Sequence, residues 1–308
     1  MRIAIYGTGS LGGYFGAKLA LAGNDVHFIA RGKQLAAIQS NGITLDGADE
    51  QFTLHPVQAT DNPAEIGPVD AVLVGVKTWQ VEDVAARLGP LLEPHTRVLT
   101  LQNGVEAPGH IAQQIGPQRV LGGVCRGFFF LEAPGKIRHV GVQPSIIFGQ
   151  IDNTQTPETK NVLAALQGAG IHSSIAPDIQ VALWEKFLMV TALSGVGAVT
   201  RSPIGPIRDH PPTRRMLTDA MAEIFAVAMG HQVKLKPDFL ESCLTFIETF
   251  PPEATTSMQR DWQDGYPSEL DAQTGAVVRL GQAAGVETPL NEFIYNSLIL
   301  NERKARGT

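Results

Sequence analysis

The chain has 308 residues, with 24 Lys+Arg against 30 Asp+Glu and a formal net charge of −6; that is roughly twice a usual single-domain length, so two domains are expected. A mildly acidic balance lacks the positive field that general nucleic-acid binding needs, and a chain that is 44% hydrophobic and 18% charged is not wholesale disordered. The only cysteines, Cys125 and Cys243, are too few for a disulfide framework and fit a reducing compartment.

The first residues, MRIAIYGTGS, run directly into a strand-like pattern without the charged, apolar and cleavage-site succession of a signal peptide. Residues 2–6, 25–30, 71–76 and 97–101 read as buried strands, apolar and mostly β-branched. Between the first two, Leu11, Tyr14, Phe15, Leu19 and Ala22 keep one face of a helix that Gly23 and Asn24 end. Alternation of this kind predicts a Rossmann-type α/β domain, a mostly parallel sheet with helices on both faces. Residues 127–131, 136–140 and 145–148 read as additional strands, with Pro134 and Gly135 at a turn. From residue 177 the texture becomes helical, with candidate helices at 178–200, 212–232, 236–250, 269–284 and 289–304 separated by Pro- or Gly-containing breaks. The expected organisation is thus a nucleotide-binding domain over 1–176 and an all-α substrate domain over 177–308. The apolar stretch 181–200 carries Glu185 and Lys186, and its uninterrupted part from Phe187 is shorter than the roughly 18–20 residues of a membrane span. A cytoplasmic protein without a membrane partner is expected.

The strongest local signal is Gly7-Thr8-Gly9-Ser10-Leu11-Gly12. It follows a strand, opens a helix and leads to a second strand, which is the context that gives a G-x-G-x-x-G run physical content. The first glycine allows the tight turn, the second lets backbone approach a pyrophosphate, and the third permits close helix–strand packing, while N–H groups of the helix start point at the anion. NAD-type sites usually carry an acid at the end of the second strand. Here that end reads Ala30-Arg31-Gly32-Lys33, and Arg31 can fork onto a 2′-phosphate with Lys33 adding charge, so NADP(H) is preferred over NAD(H). Lys77 and Asn103 stand after the third and fourth strands, at the sheet edge where ligands bind, although a lone polar residue there is also an ordinary turn former.

Lys186 is a cation in an otherwise apolar helix, with Val190 and Ser194 at four-residue steps along the same face. An ammonium there snorkels to water beside Glu185, pairs with a carboxylate, or donates a proton to an oxygen that gains charge when hydride arrives at carbon. Glu269, which opens a predicted helix after Tyr266-Pro267-Ser268, is the chosen partner; a helix-start acid favoured by the dipole is the other explanation. The histidines show no ligand-type spacing, and neither cysteine has the surroundings of a nucleophile, so metal and thiol catalysis are not expected.

Taken together, GTGSLGG, the arginine after the second strand, VKT, LQNG, LWEKF and TTSMQRDWQDGYPSELD resemble the ketopantoate reductase (2-dehydropantoate 2-reductase) family over almost the whole length. The resemblance implies NADPH delivering hydride to the C2 carbonyl of a 2-oxo acid. Lys186 would be the general acid and Glu269 would orient substrate and lysine. Asn103 would position nicotinamide ribose and substrate beside Lys77, and Ser257 would bind the substrate carboxylate. Members that use ketopantoate typically carry asparagines where this chain has Val190, Ser194 and Ile204. Replacing an amide by valine removes a donor and an acceptor, so selectivity should change sharply; Thr191 and Ser194 offer smaller hydroxyl contacts. Three readings stand: ketopantoate reduction for pantothenate and coenzyme A synthesis, the same chemistry on another 2-oxo acid, and a non-enzymatic NADPH-binding sensor. The presence of both Lys186 and Glu269 counts against the sensor. The expected partner is a small-molecule 2-oxo acid rather than nucleic acid, and the helical half offers surface for a homodimer.

Overall fold

A computed structural model describes residues 1–47 and 51–307. The chain divides into two compact units, one of Met1–Gln102 with Ala107–Ile179, the other of Asn103–Glu106 with Gln180–Thr308. The division after Ile179 lies three residues beyond the expected boundary at 176, and residues 103–106, expected in the first domain, group with the second unit.

The first unit runs β1 (Arg2–Tyr6), α1 (Ser10–Leu21), β2 (Asp25–Ile29), α2 (Gly32–Asn41), β3 (Ile43–Asp46), β4 (Gln51–Leu54), β5 (Gln58–Thr60), β6 (Ala71–Val74), α3 (Val81–Arg87), β7 (Arg97–Thr100), α4 (Ala107–Ile115), β8 (Val120–Ala133), β9 (Lys136–Gln150), α5 (Pro157–Gly168) and β10 (His172–Ile175). Its sheet has the order β4-β3-β9-β8-β7-β6-β1-β2-β5, with β10 paired to β9. The β8–β9 and β3–β4 pairs are antiparallel, and the rest are parallel. Alternation along β1 explains why both faces are dry: Ile3 and Ile5 enter one core with Phe15, Leu19 and Phe28, while Ala4 and Tyr6 enter the other with Val72, Val74, Val98 and Ile111. Such doubly buried strands carry continuous apolar runs, which is why they were readable.

The three short strands expected between 127 and 148 are parts of one long hairpin, β8 and β9. Register shifts at Arg126/Phe128 and Leu131/Ala133 let it bend, and Gly127 (φ +143°) and Gly141 (φ +78°) take conformations that side-chain-bearing residues avoid. Those glycines broke the sequence pattern without breaking the pairing. The short strands β3, β4, β5 and β10 were not anticipated, being too brief and too polar to stand out.

The second unit continues with α6 (Ile179–Thr200), α7 (Ile204–Asp209), α8 (Pro211–Gly230), α9 (Phe239–Glu248), α10 (Ser257–Gln263), a π-helical turn (Asp271–Gly275), α11 (Ala276–Ala284) and α12 (Pro289–Arg306). α6 is apolar on all sides because other helices of the unit pack around it. Trp184, Phe187, Leu188 and Val196 share a core with Met221 and Ile224 of α8, Val277 of α11 and Ile294 of α12. By length and composition alone α6 is apolar enough to cross a membrane, contrary to the expectation from its uninterrupted part, but 67% of its most apolar window is buried inside the protein. Burial, not length, marks it as a core helix. The helix expected at 269–284 begins irregularly: Gln273 N–H donates to the Glu269 carbonyl at 2.9 Å, and Gly275 N–H reaches back five residues to Leu270 at 3.0 Å. One residue is thereby inserted into the turn just after Glu269.

Candidate active site

In the first unit the glycine loop is shaped by close backbone approach. Gly7 has φ +97°, and a Cβ on it would lie 2.5 Å from Val76 Cγ1 and 2.7 Å from Val76 N. A Cβ on Gly12 would overlap the Gly7 carbonyl oxygen, so α1 can sit this close to β1 only with glycine there. Gly9, by contrast, has nothing within 4 Å of where its Cβ would be, which leaves open space in front of the α1 start. The first turn of a helix presents N–H groups without intrahelical acceptors to that space, as an anion requires. Ser10 and Leu11 open this turn and are half-buried. Thr8 does something else: its N–H and its hydroxyl both donate to the Ile29 carbonyl, at 3.2 and 3.1 Å, bracing the loop against the end of β2.

Arg31 is exposed and caps α2 with extended backbone, followed by exposed Lys33. Gln34, one turn into α2, donates to the Thr8 carbonyl at 2.7 Å and accepts from Gly135 N–H at 3.1 Å, so it ties the Arg31 segment to the glycine loop. Burial raises the pKa of the Tyr6 hydroxyl above its ordinary value, and the nearby Arg87 and Arg31 guanidinium groups only partly offset this. Arg87, at the end of α3, thus joins Arg31 around Tyr6. No spacing in the sequence connects residues 6, 31 and 87; only the parallel sheet does. Lys77 is exposed after β6, its Nζ 5.9 Å from the Trp79 ring centroid. Gln102 is buried and donates to the carbonyls of Val74 and Val76, both at 2.9 Å, which sets the loop that carries Lys77.

The second unit brings Asn103 and Glu269 together. Asn103 Nδ2 lies 3.4 Å from Glu269 Oε2, long for such a bond, and Glu269 is only 5% exposed. Lys186 is half-buried on α6, one turn before half-buried Val190. Ser194, two turns on, is 0% exposed and its hydroxyl donates to Thr256 Oγ1 at 2.9 Å. Thr256 in turn caps α10, accepting from Gln259 N–H at 3.2 Å. The Gln259 amide donates to the carbonyls of Gly197 and Ser202, at 3.1 and 2.9 Å, and a Cβ on Gly197 would lie 2.5 Å from its oxygen. These contacts lock α10, and the half-buried Ser257 at its start, against α6. Ile204 is buried in the helical core and has no polar role.

Glu269 is held from the residue before it. Glu302 of α12, 1% exposed, accepts from Ser268 N–H at 2.9 and 3.1 Å and from the Ser268 hydroxyl at 2.6 Å. Arg306 completes the clamp, donating to Glu302 at 2.6 Å and to the Ser268 carbonyl at 2.6 Å. Sequence reasoning missed this pair, because a Glu and an Arg four residues apart near the end of a helix ordinarily form a solvated surface pair. Burial and the Glu185 carboxylate push the Cys243 thiol up to about 12, so it stays protonated. Among the described residues no group of three or more His, Cys, Asp or Glu is arranged to hold a metal ion.

Comparison with known proteins extends this picture. The family model described as Ketopantoate reductase PanE/ApbA matches residues 3–153, and that described as Ketopantoate reductase PanE/ApbA C terminal matches residues 178–302. A 2-dehydropantoate 2-reductase of Mesorhizobium japonicum is 32% identical over 94% of this chain and 94% of its own length. The crystal structure of 2-dehydropantoate 2-reductase from Geobacter metallireducens superposes with a TM-score of 0.90 at 31% identity, covering 97% of this chain and 99% of that one. A ternary structure of D-mandelate dehydrogenase with NADH and anilino(oxo)acetate has the same fold, with a TM-score of 0.90 at 21% identity, covering 99% of each chain.

Proposed function

The chain belongs to the ketopantoate reductase family and is a pyridine-nucleotide-dependent oxidoreductase, and from that premise we propose that it reduces the C2 carbonyl of a 2-oxo acid with NADPH, ketopantoate being the first substrate to test. The observation that carries the reading is the approach of Asn103 to Glu269, residues 166 positions apart that sequence reasoning had assigned to one site. Bond lengths of this kind are often loose before substrate binds.

The glycine loop would hold a nicotinamide nucleotide, whose chemistry would be the supply of hydride. The Lys186 ammonium donates a proton to the carbonyl oxygen as charge develops on it, and solvent reprotonates the amine. Glu269 orients the substrate and the lysine. Asn103 directs its amide to the substrate and the nicotinamide ribose, Lys77 adds a cation at the same end, and the Ser257 hydroxyl donates to the substrate carboxylate at the start of α10. Gly7, Gly9, Ser10, Leu11 and Gly12 form the pyrophosphate cradle, with Thr8 bracing it. Arg31 recognises the 2′-phosphate, with Arg87 a second cation nearby.

The same chemistry on a different 2-oxo acid is favoured by one observation. The Ser194 hydroxyl is committed to Thr256, and Val190 has no hydrogen-bonding group. Val190 cannot replace a family asparagine as a substrate contact, Ser194 keeps only acceptor capacity, and Thr191 is buried with no hydrogen-bond partner for its hydroxyl among the described residues. Sites that lose such a contact change selectivity strongly.

Nucleotide oxidation with a panel of 2-oxo acids tests both readings. Efficient turnover of ketopantoate supports the first; turnover only of another acid supports the second and makes Val190 a specificity determinant; tight binding with every acid silent removes both 2-oxo acid assignments and leaves a substrate outside the panel or a sensor role. In the same assay Arg31→Ala is expected to raise KM for NADPH about tenfold or more relative to NADH, the loss of a charge-assisted contact. An unchanged ratio removes the 2′-phosphate assignment.

A further inference from the structure

The segment Asn103–Glu106 belongs to the helical unit, although the chain on either side of it belongs to the sheet unit. It has no regular secondary structure, so its position must be held by contacts outside itself. Contacts at both of its ends hold it to one turn. At the first, Asn103 approaches Glu269 at 3.4 Å. At the second, Arg279 of α11 donates through Nη2 to Glu106 Oε2 at 2.9 Å. The same guanidinium donates to Asp271 Oδ1 at 3.1 Å and to the Asp271 carbonyl at 3.1 Å. Tyr295 of α12 donates its hydroxyl to that Asp271 oxygen at 2.8 Å. Between the two ends, Gly104 (φ +142°) passes the π-helical turn so closely that a Cβ would lie 3.3 Å from the Ala272 carbonyl oxygen. The turn ends in Gly275, where a Cβ would lie 2.8 Å from the Tyr295 ring and 3.0 Å from Asp271 Oδ1. Glycine there leaves room for the network to close over the turn.

An isolated exposed ion pair contributes little. This one is a planar fork shared between two carboxylates, one fixed by a tyrosine, and such geometry positions more than it stabilises. Burial by itself lowers the Arg279 pKa, and Glu106 and Asp271 more than restore it, so the guanidinium is held charged. Burial and Asp271 push the Tyr295 hydroxyl up to about 12, so it remains a donor.

We propose that Arg279 is a positioning residue: by bridging Glu106 to Asp271 it holds the Asn103 segment against the turn that follows Glu269, and so sets the Asn103–Glu269 approach. The inference rests on the reading above that Asn103 and Glu269 act on the substrate. Arg279 touches neither reacting group and acts through the two residues flanking them.

The test combines amide hydrogen exchange of the 103–106 segment with steady-state kinetics of Arg279→Ala, Arg279→Lys, Glu106→Gln and the Arg279→Ala/Glu106→Gln double variant, all in the full chain. Exchange in the segment should accelerate about tenfold in Arg279→Ala and Glu106→Gln, with the rest of the helical unit unchanged. kcat should fall about tenfold, as small misplacements of reacting groups do, with the nucleotide dissociation constant changed far less, since the glycine loop is untouched and only the Asn103 contact shifts. The double variant should be no worse than either single one, since both remove one bridge. Arg279→Lys should recover part of the loss, because an ammonium reaches one carboxylate but does not fork between two. Unchanged exchange, or single effects that multiply in the double variant, overturns the proposal; so does faster exchange with unchanged kcat. If the wild-type chain turns over no 2-oxo acid, the functional reading fails instead, and exchange alone decides whether Arg279 is the tether.

Discussion

Lys186→Ala is expected to lower kcat by about 10²–10⁴-fold, the contribution of a positioned proton donor, while the dissociation constant for NADPH changes by less than roughly twofold. The glycine loop proposed to bind the nucleotide and the helix that carries Lys186 lie in different compact units, so removing the ammonium should leave the loop intact. Single-turnover nucleotide oxidation against fluorescence titration of NADPH separates the two effects. Lys186→Arg should not rescue, because a guanidinium does not give up its proton in proteins and is a different shape. Parallel loss of turnover and nucleotide binding would assign Lys186 to packing in α6. Unimpaired turnover would return it to the alternative drawn from its sequence surroundings, a cation whose stem lines an apolar helix while its head reaches water.

The second large effect is expected at a residue that touches no substrate. Glu302→Ala should destabilise the helical unit by about 3–5 kcal/mol, the usual cost of removing one partner of a buried charged pair. The Ser268 N–H and hydroxyl would lose their acceptor inside the protein, and Arg306 would lose its counter-charge. Arg306 is 23% exposed at its side chain and can turn partly to water, which puts the expectation at the lower end of that range. Glu302→Gln keeps the shape and weakens the charge-assisted bonds, at about 1–2 kcal/mol. Urea unfolding followed by tryptophan fluorescence reads this directly, since Trp184 and Trp262 lie in the helical core. A loss under about 1 kcal/mol for Glu302→Ala would mean that water replaces the carboxylate, and the clamp would then not be what holds the segment before Glu269. With a full-sized loss, Glu302→Gln, which keeps the fold, should still lower kcat by disturbing Ser268 and so the neighbouring Glu269.

The structure also supplies the reason why some candidate site residues are legible in the sequence and others are not. The glycine loop was readable because its chemistry is local: a tight turn, a close helix and an exposed helix start impose residue types at fixed spacing within one βαβ unit. The buried strands of the sheet were readable for the same reason, since burial on both faces demands continuous apolar runs. Arg31, Lys77 and Asn103 could be nominated from their place after strands, because a parallel sheet sends those ends to one edge. Lys186 drew notice as a cation in an apolar helix. Glu269 and Ser257 needed family resemblance, since nothing in their spacing joins them to Lys186.

Other features had no sequence signal because they depend on contacts between distant segments. Gln34 and Gln102 are ordinary polar residues until their amides meet backbone carbonyls of other elements. Ser194, nominated as a pocket hydroxyl, is buried and donates to Thr256, the cap of α10, a contact that its spacing does not announce. The inserted residue after Glu269 is a backbone event that composition does not announce, and the Glu302–Arg306 clamp reads as a surface pair until α12 is packed. What the sequence by itself determined was the fold class, the tight glycine loop and the chemical type of the residues nominated for a reduction, because those rest on local geometry and on the burial pattern of single elements. What only the tertiary structure decided was which polar groups are spent on holding the site, since a hydrogen bond between residues 268 and 302, or 106 and 279, exists only once the chain has folded and water has been excluded between them.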